Sequence, residues 1–269
     1  MTQSYSVNGV RMDLDTSEAI QGQMAAGNYE PAESEWVRRH LRSGSVFVDV
    51  GANFGWFTTL ALSCVGSCGR VFAFEPSPIA FATLRRGLAS HGNVTLINAA
   101  VGREPGEITL YLPNSGPVHS PSVFESPGDF RAQRVPLVSL DRCAALNDVP
   151  VIDMVKIDVE GSEPDVVDGM KGLIAAGRVR RVLCEFNSVW LGINNTSVDQ
   201  LADQFGDLGF DMGSSTPWQT GPTSDGGQFH VQDVLSVIAA RHAATAISPE
   251  LGLCSSARPE TSPSPPDRS

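Results

Sequence analysis

The segment Asp49-Val50-Gly51-Ala52-Asn53-Phe54-Gly55, preceded by the apolar run Val46-Phe47-Val48, constrains this chain more than any other feature. A short β-branched run stopped by glycine reads as a buried strand that ends in a sharp turn. Gly51 and Gly55 let the backbone turn tightly and bring its amides close to a ligand. Residues 56–63 then read as a helix, whose first N–H groups would offer an anion the positive end of the dipole. Strand, glycine turn and helix in this order point to an α/β fold with a parallel sheet.

The alternation continues along the chain. Arg70-Val71-Phe72-Ala73-Phe74-Glu75 reads as a second strand, and Ser77-Pro78 as the cap and first residue of a helix with Phe81, Leu84 and Leu88 at helical spacing. Strands are expected at 94–97, 107–112, 134–140, 151–158, 181–186 and 231–239, with helices over 163–175 and 198–208. Residues 16–41 look helical in two pieces, broken at Gly27-Asn28-Tyr29-Glu30-Pro31. The expected fold is a doubly wound, mostly parallel sheet with helices on both faces. Ligands of such sheets bind at the carboxyl ends of the strands. That rule gathers the loops after Val50, Phe74, Ile97 and Ile157 around one crevice.

With 269 residues and 41% hydrophobic content, the chain can bury a full core as one domain. A net charge of −11 argues against a nucleic-acid partner, which needs basic surface. No run reaches the roughly 18–20 apolar residues that span a bilayer, and no apolar signal core opens the chain, so a cytoplasmic home is expected. Five cysteines at scattered spacing do not read as a disulfide framework.

The chemistry-bearing residues sit at the strand ends. Asp49 can face a ligand's ammonium group, and Glu75, closing the second strand, can accept hydrogen bonds from both hydroxyls of a ribose. The triple glycine spacing G-x-G-x-x-G of dinucleotide folds is missing, as is the phosphate-binding G-x-x-x-x-G-K-[ST]. An acid before a shortened glycine turn fits a ligand with an amino-acid end and a nucleoside end, which S-adenosylmethionine is.

Three segments together, Asp49 to Gly55, Phe74-Glu75-Pro76 and Lys156-Ile157-Asp158-Val159-Glu160-Gly161-x-Glu163, resemble the FkbM-type S-adenosylmethionine-dependent methyltransferases. The resemblance runs from about Gly27 to Asn187. It implies a class I methyltransferase fold, a Rossmann-like α/β architecture with a seven-stranded, mostly parallel sheet, helices on both faces and the last strand antiparallel. It further implies that Gly51, Ala52, Asn53 and Gly55 line the methionine end, that Glu75 with Pro76 holds the ribose, and that Asn98 and Ala99 border the adenine. The expected organisation is an N-terminal helical segment, 1–42, packing on or capping the site, a methyltransferase domain, 43–243, and a flexible Pro/Ser-rich tail, 244–269.

Methyl transfer requires acceptor, methyl and sulfur in line, and a hydroxyl acceptor also gives up a proton to a positioned base. Asp158, Glu160 and Glu185 are the candidates, with Asp158 also placed to orient the cofactor. Alternatives stay open for each acid. Glu163 suits the first turn of its helix, Glu160 could pair with Lys156, and Glu185 with Arg181. Asp158 with Glu185 could hold Mg²⁺, but no consecutive acidic pair supports a metal, and none is expected. His119, in the loop 114–122, is a further candidate base. The expected activity is O-methylation of a small hydroxylated acceptor, a natural product or sugar. The competing readings are a nucleotide-dependent oxidoreductase and a noncatalytic Rossmann-like binding module. Neither nucleic acid nor membrane is an expected partner, and a homodimer is compatible with the sequence.

Overall fold

The computed structural model of the chain describes residues 2–114, 123, 130–214 and 234–241. Two strands, β1 (Gln3–Val7) and β2 (Val10–Leu14), form a hairpin ahead of the helices α1 (Ala19–Ala26) and α2 (Pro31–His40). There follow β3 (Val46–Val50), α3 (Trp56–Val65), β4 (Arg70–Phe74), α4 (Pro78–Leu88) and β5 (Val94–Ile97). A side sheet holds β6 (Ala100–Val101), β7 (Gly106–Pro113) and β8 (Phe130–Val138). The chain returns through β9 (Met154–Ile157), α5 (Glu163–Asp168), α6 (Lys171–Ala175), β10 (Arg181–Asn187), α7 (Ser188–Ile193), α8 (Val198–Asp207), β11 (Phe210–Ser214) and β12 (Val234–Arg241).

The main sheet runs β11-β12-β10-β9-β3-β4-β5. Its five-strand body, β10 to β5, is parallel throughout, and β12 lies antiparallel to both β10 and β11. Strand order reverses between β3 and β9, which opens a crevice at their carboxyl ends. This is a Rossmann-like α/β fold.

Both faces of the parallel body are covered, so its strands are apolar on both sides, as the continuous hydrophobic runs require. Val48, Val50, Phe72, Phe74, Val155, Ile157 and Val182 pack on one face against α5, α6 and α8. Phe47, Val71, Ala73, Met154 and Leu183 pack on the other against α3, α4 and the hairpin. Each fully buried Val or Phe contributes about 1.5–3 kcal/mol. Strand parity then puts Asp49 and Lys156, paired across β3 and β9, on the α3 side of the sheet.

Four features differ from the expectations. The N-terminal segment begins with a hairpin and not a helix. Its signal was present: Asn8-Gly9, both at positive φ, joins strands whose inward residues are Val7, Val10, Met12 and Leu14. The helix expected over 163–175 is two helices. Gly169 breaks it by passing so close to Gly102 that a Cβ there would lie 2.1 Å from the Gly102 carbonyl oxygen. The Asp141 carboxylate then accepts from the amides of Gly172 and Leu173, both at 2.7 Å, and starts the second helix. The strands expected at 107–112 and 134–140 are β7 and β8, but β8 ends at Val138 and the pair belongs to the side sheet, outside the parallel one. Cys64, Cys143 and Cys184 are free thiols, whereas Cys68 is in a disulfide, which the scattered spacing did not indicate. His119 and the tail 244–269 lie outside the described residues. No helix among the described residues is long and apolar enough to cross a membrane.

Candidate active site

Gly51 sits at φ +82, and a Cβ on it would lie 1.8 Å from the carbonyl oxygen of Asp158. The turn after β3 and the loop after β9 therefore touch through backbone alone, which only glycine permits. Gly51 and Ala52 both donate their amides to the Phe74 carbonyl, at 3.0 and 2.9 Å, and Gly55 donates to Ala52 at 2.9 Å. The Asn53 amide donates to Glu75 Oε2 at 2.7 Å, and Ser77 donates to Oε1 at 2.7 Å. This corrects one expectation: the amides of Gly51, Ala52, Asn53 and Gly55 hold the turn together and are not presented to a ligand.

The loop after β9 is built by its own motif. Glu163 Oε1 accepts from the amides of Val159 and Gly161, at 3.2 and 3.1 Å, and Asn194 Nδ2 donates to the Gly161 carbonyl at 2.9 Å. Glu163 thus ties the loop, which accounts for the acid better than the dipole of its short helix does. Glu160 and Gly161 stand at φ 51 and 97. A left-handed non-glycine residue costs about 1–2 kcal/mol, and here it turns the Glu160 side chain toward the crevice.

A cavity of about 490 Å³ occupies that crevice, within the range of small-molecule sites. On one side of β3 its wall is Gly51, Asn53, Phe74, Glu75, Pro76 and Ala99. On the other it is Asp158, Glu160 and Glu185, joined by Tyr29 and Glu30 from the N-terminal segment. Ile108, Leu110 and Leu137 of the side sheet form an apolar wall. Eight residues singled out from the sequence thus meet around one space.

Four others do not. Ala52 lines a small neighbouring hollow with Lys156 and Trp56. Gly55 packs on Leu84 at the start of α3. Asn98 is exposed and braces the loop after β4, donating to the carbonyls of Glu75 at 2.7 Å and Pro76 at 3.2 Å. Asp49 lies behind the turn, and its Oδ2 accepts from Thr58 Oγ1 at 2.6 Å, so the carboxylate expected to face a ligand is turned to α3. Its buried Oδ1 has no hydrogen-bond partner.

Tyr29, Glu30 and Lys156 complete the site, and sequence reasoning gave none of them this place. Lys156 Nζ lies 2.8 Å from Asp158 Oδ2 and 4.6 Å from the centre of the Phe57 ring. Its partner is Asp158, not Glu160. Nor does Glu185 pair with Arg181; it bonds to Asp158. No group of three or more His, Cys, Asp or Glu side chains able to hold a metal ion occurs among the described residues.

Burial governs the protonation of this cluster. It pushes Glu30, Glu75 and Glu163 up to about 7 and Glu160 up to about 8, with Asp158 adding to each rise. Glu185 is pushed well above the usual carboxylate range by burial and then by Asp158. Asp158 behaves oppositely: burial opposes its charge, but the Lys156 ammonium and the Glu185 hydrogen bond hold it below the usual range.

A pH dependence follows. Carboxyls raised in the folded state keep protons that the unfolded chain releases near pH 4.5, so each loses its stabilising effect as pH rises toward 7 or 8. The low Asp158 and the raised Lys156 contribute evenly across that window. Ligand-free protein is expected to be less stable at pH 8 than at pH 5 by about 2 kcal/mol or more. Urea unfolding at both values checks this; equal or rising stability would contradict the protonated cluster.

The family model described as "Methyltransferase FkbM domain" matches residues 49–212. "Methyltransferase 1" of Beauveria bassiana is 31% identical over 147 residues, 47% of this chain and 58% of the fungal protein. The chain thus spans little more than half of that relative. "Hexuronic acid methyltransferase AglP" of Haloferax volcanii is 26% identical over 205 residues, 69% of this chain and 78% of the archaeal protein. Among solved structures, precorrin-6y C5,15-methyltransferase from Geobacter metallireducens superposes with a TM-score of 0.45 at 15% identity, covering 80% of this chain and 90% of that one.

Proposed function

The chain belongs to the FkbM methyltransferase family; on that premise we propose that it is an S-adenosylmethionine-dependent methyltransferase acting on a hydroxyl of a small molecule, a natural product or sugar. One observation carries this reading: a single cavity joins a nucleoside-type acid, Glu75, to the acids Asp158, Glu160 and Glu185 across the glycine turn. The carboxyl-rich wall suits a cofactor with an ammonium and a sulfonium. The curated relative that acts on a hexuronic acid supports a sugar as acceptor.

S-adenosylmethionine supplies a methyl group on a sulfonium leaving group. Glu75 would hold the ribose while keeping its bonds to Asn53 and Ser77, since each carboxylate oxygen accepts more than one hydrogen bond. Pro76 and Ala99 would border the nucleoside; Gly51, Ala52, Asn53 and Gly55 would shape the methionine end; Asn98 and Asp49 would hold the loops from behind. Asp158, kept ionised by Lys156, would orient the reactants. Glu160 and Glu185 can take the acceptor's proton once a cation beside them lowers their proton affinity. The segment 1–42 would cap the site through Ile20, Tyr29 and Glu30.

Calorimetry tests the cofactor site. Glu75→Ala is expected to weaken S-adenosylmethionine binding about 30-fold or more, the loss of about 2 kcal/mol from an unmade charged hydrogen bond. Unchanged affinity would remove Glu75 from the site. The acceptor class is tested by methyl transfer from radiolabelled cofactor to a panel of neutral sugars, uronic acids, phenols and amines. Transfer only to amines would refute the hydroxyl assignment.

A further inference from the structure

Glu30 occupies the helix position where a side chain ordinarily caps the first amides, yet it makes no cap bond to α2. Its backbone is left-handed, φ 42, and its carboxyl lines the cavity. A residue in that conformation at the mouth of a site is a constraint the fold maintains for a reason. The groups around it are Tyr29, Glu33 of its own helix, Lys156 on β9 and Asp158 just after it, and Glu160 and Glu185 across the cavity.

Positive charge is short there. Lys156 is bound to Asp158 at 2.8 Å. Arg103, the one basic residue on the cavity wall among the described residues, is tied to Asp165 at 3.1 Å and Asp168 at 2.8 Å. Glu30 has no cation of its own among the described residues. We propose that Glu30 recognises the sulfonium of the bound cofactor, so that the N-terminal segment distinguishes S-adenosylmethionine from its demethylated product.

This assignment rests on S-adenosylmethionine binding in the cavity, as proposed above. The cofactor carries one positive charge more than S-adenosylhomocysteine, at the sulfur and nowhere else. A carboxylate near the sulfur favours the first over the second, and transfer of the methyl group removes the attraction and eases product release. Glu75 and the glycine turn meet portions common to both molecules and do not discriminate between them.

Calorimetric titration of the full chain with each compound tests the assignment, with a melting curve for every variant. Glu30→Gln is expected to weaken S-adenosylmethionine binding about tenfold and to leave S-adenosylhomocysteine within about twofold. Equal losses for both, or no loss for either, would overturn it. Glu30→Asp keeps the charge and tolerates a left-handed backbone; it is expected to retain most of the preference, and a fall equal to that of Glu30→Gln would overturn the charge argument. If neither compound binds the unaltered chain, the cofactor assignment itself fails and this one falls with it. If the unaltered chain binds both but Glu30→Gln shifts neither, only the role of Glu30 is refuted.

Discussion

Lys156→Met should destabilise the protein by about 3–5 kcal/mol, the usual consequence of removing one partner from a buried ion pair. Lys156 is 5% exposed, and its ammonium is the positive centre for Asp158 at 2.8 Å and for Asp49, its neighbour across the sheet. Methionine fills the volume and can keep contact with the Phe57 ring, so the loss reports charge and not packing. Without the ammonium, Asp158 has no reason to stay ionised and its proton affinity rises. The penalty should therefore be larger at pH 8 than at pH 5, where the carboxyl takes a proton and relieves itself. Adding Asp158→Asn should recover at least half of the loss, because the double variant buries no unpaired charge. Urea unfolding of the two single variants and the double one, at both pH values, gives the answer. A cost below about 1 kcal/mol would mean that water and not Asp158 solvates this lysine.

The ion pair also marks where the sequence stopped being informative. The strand that carries Lys156 was legible, because Met154-Val155-Lys156-Ile157 sits in an apolar run ahead of a glycine loop. The partner was not, since Asp158 and Glu160 are both within reach of a lysine on the same strand. Parity decided it: residues 156 and 158 lie on the same side of the chain, while Glu160 comes after the left-handed turn. The glycine turn, the parallel body and the acids at the strand ends were all visible as patterns of burial and turning. The use of the turn's amides was not, because Phe74 and Glu75, which accept them, are far away in the chain. Nor could spacing reveal that Asp49 faces α3, a consequence of the register between β3 and β9. Tyr29 and Glu30 read only as a helix break, and their place at the cavity depends on how the N-terminal segment docks. Local chemistry is written in the neighbours of a residue, whereas a cavity wall is assembled from elements that share no sequence.

Gly51→Ala should destabilise the chain by more than about 3 kcal/mol. Two costs add. A left-handed alanine costs about 1–2 kcal/mol in backbone energy alone, and overpacking a close contact adds about 1–3 kcal/mol. The added methyl would lie 1.8 Å from the Asp158 carbonyl oxygen and 2.9 Å from its carbonyl carbon. Neither atom belongs to a side chain that could swing away. Relief requires the loop after β9 to move off the turn after β3, which would stretch the bond from the Asp158 amide to the Val50 carbonyl, now 3.0 Å. Gly9 supplies the control within the same molecule. Its φ is +86, close to the +82 of Gly51, but a Cβ there meets nothing within 4 Å. Gly9→Ala should therefore show the backbone cost alone, and the difference between the two variants measures the contact between the loops. If the two destabilise equally, the turn and the Asp158 loop do not press on one another. If Gly51→Ala is much the worse, and its surviving folded fraction binds S-adenosylmethionine poorly while Gly9→Ala binds normally, then the same close approach that fixes the sheet also sets the shape of the site.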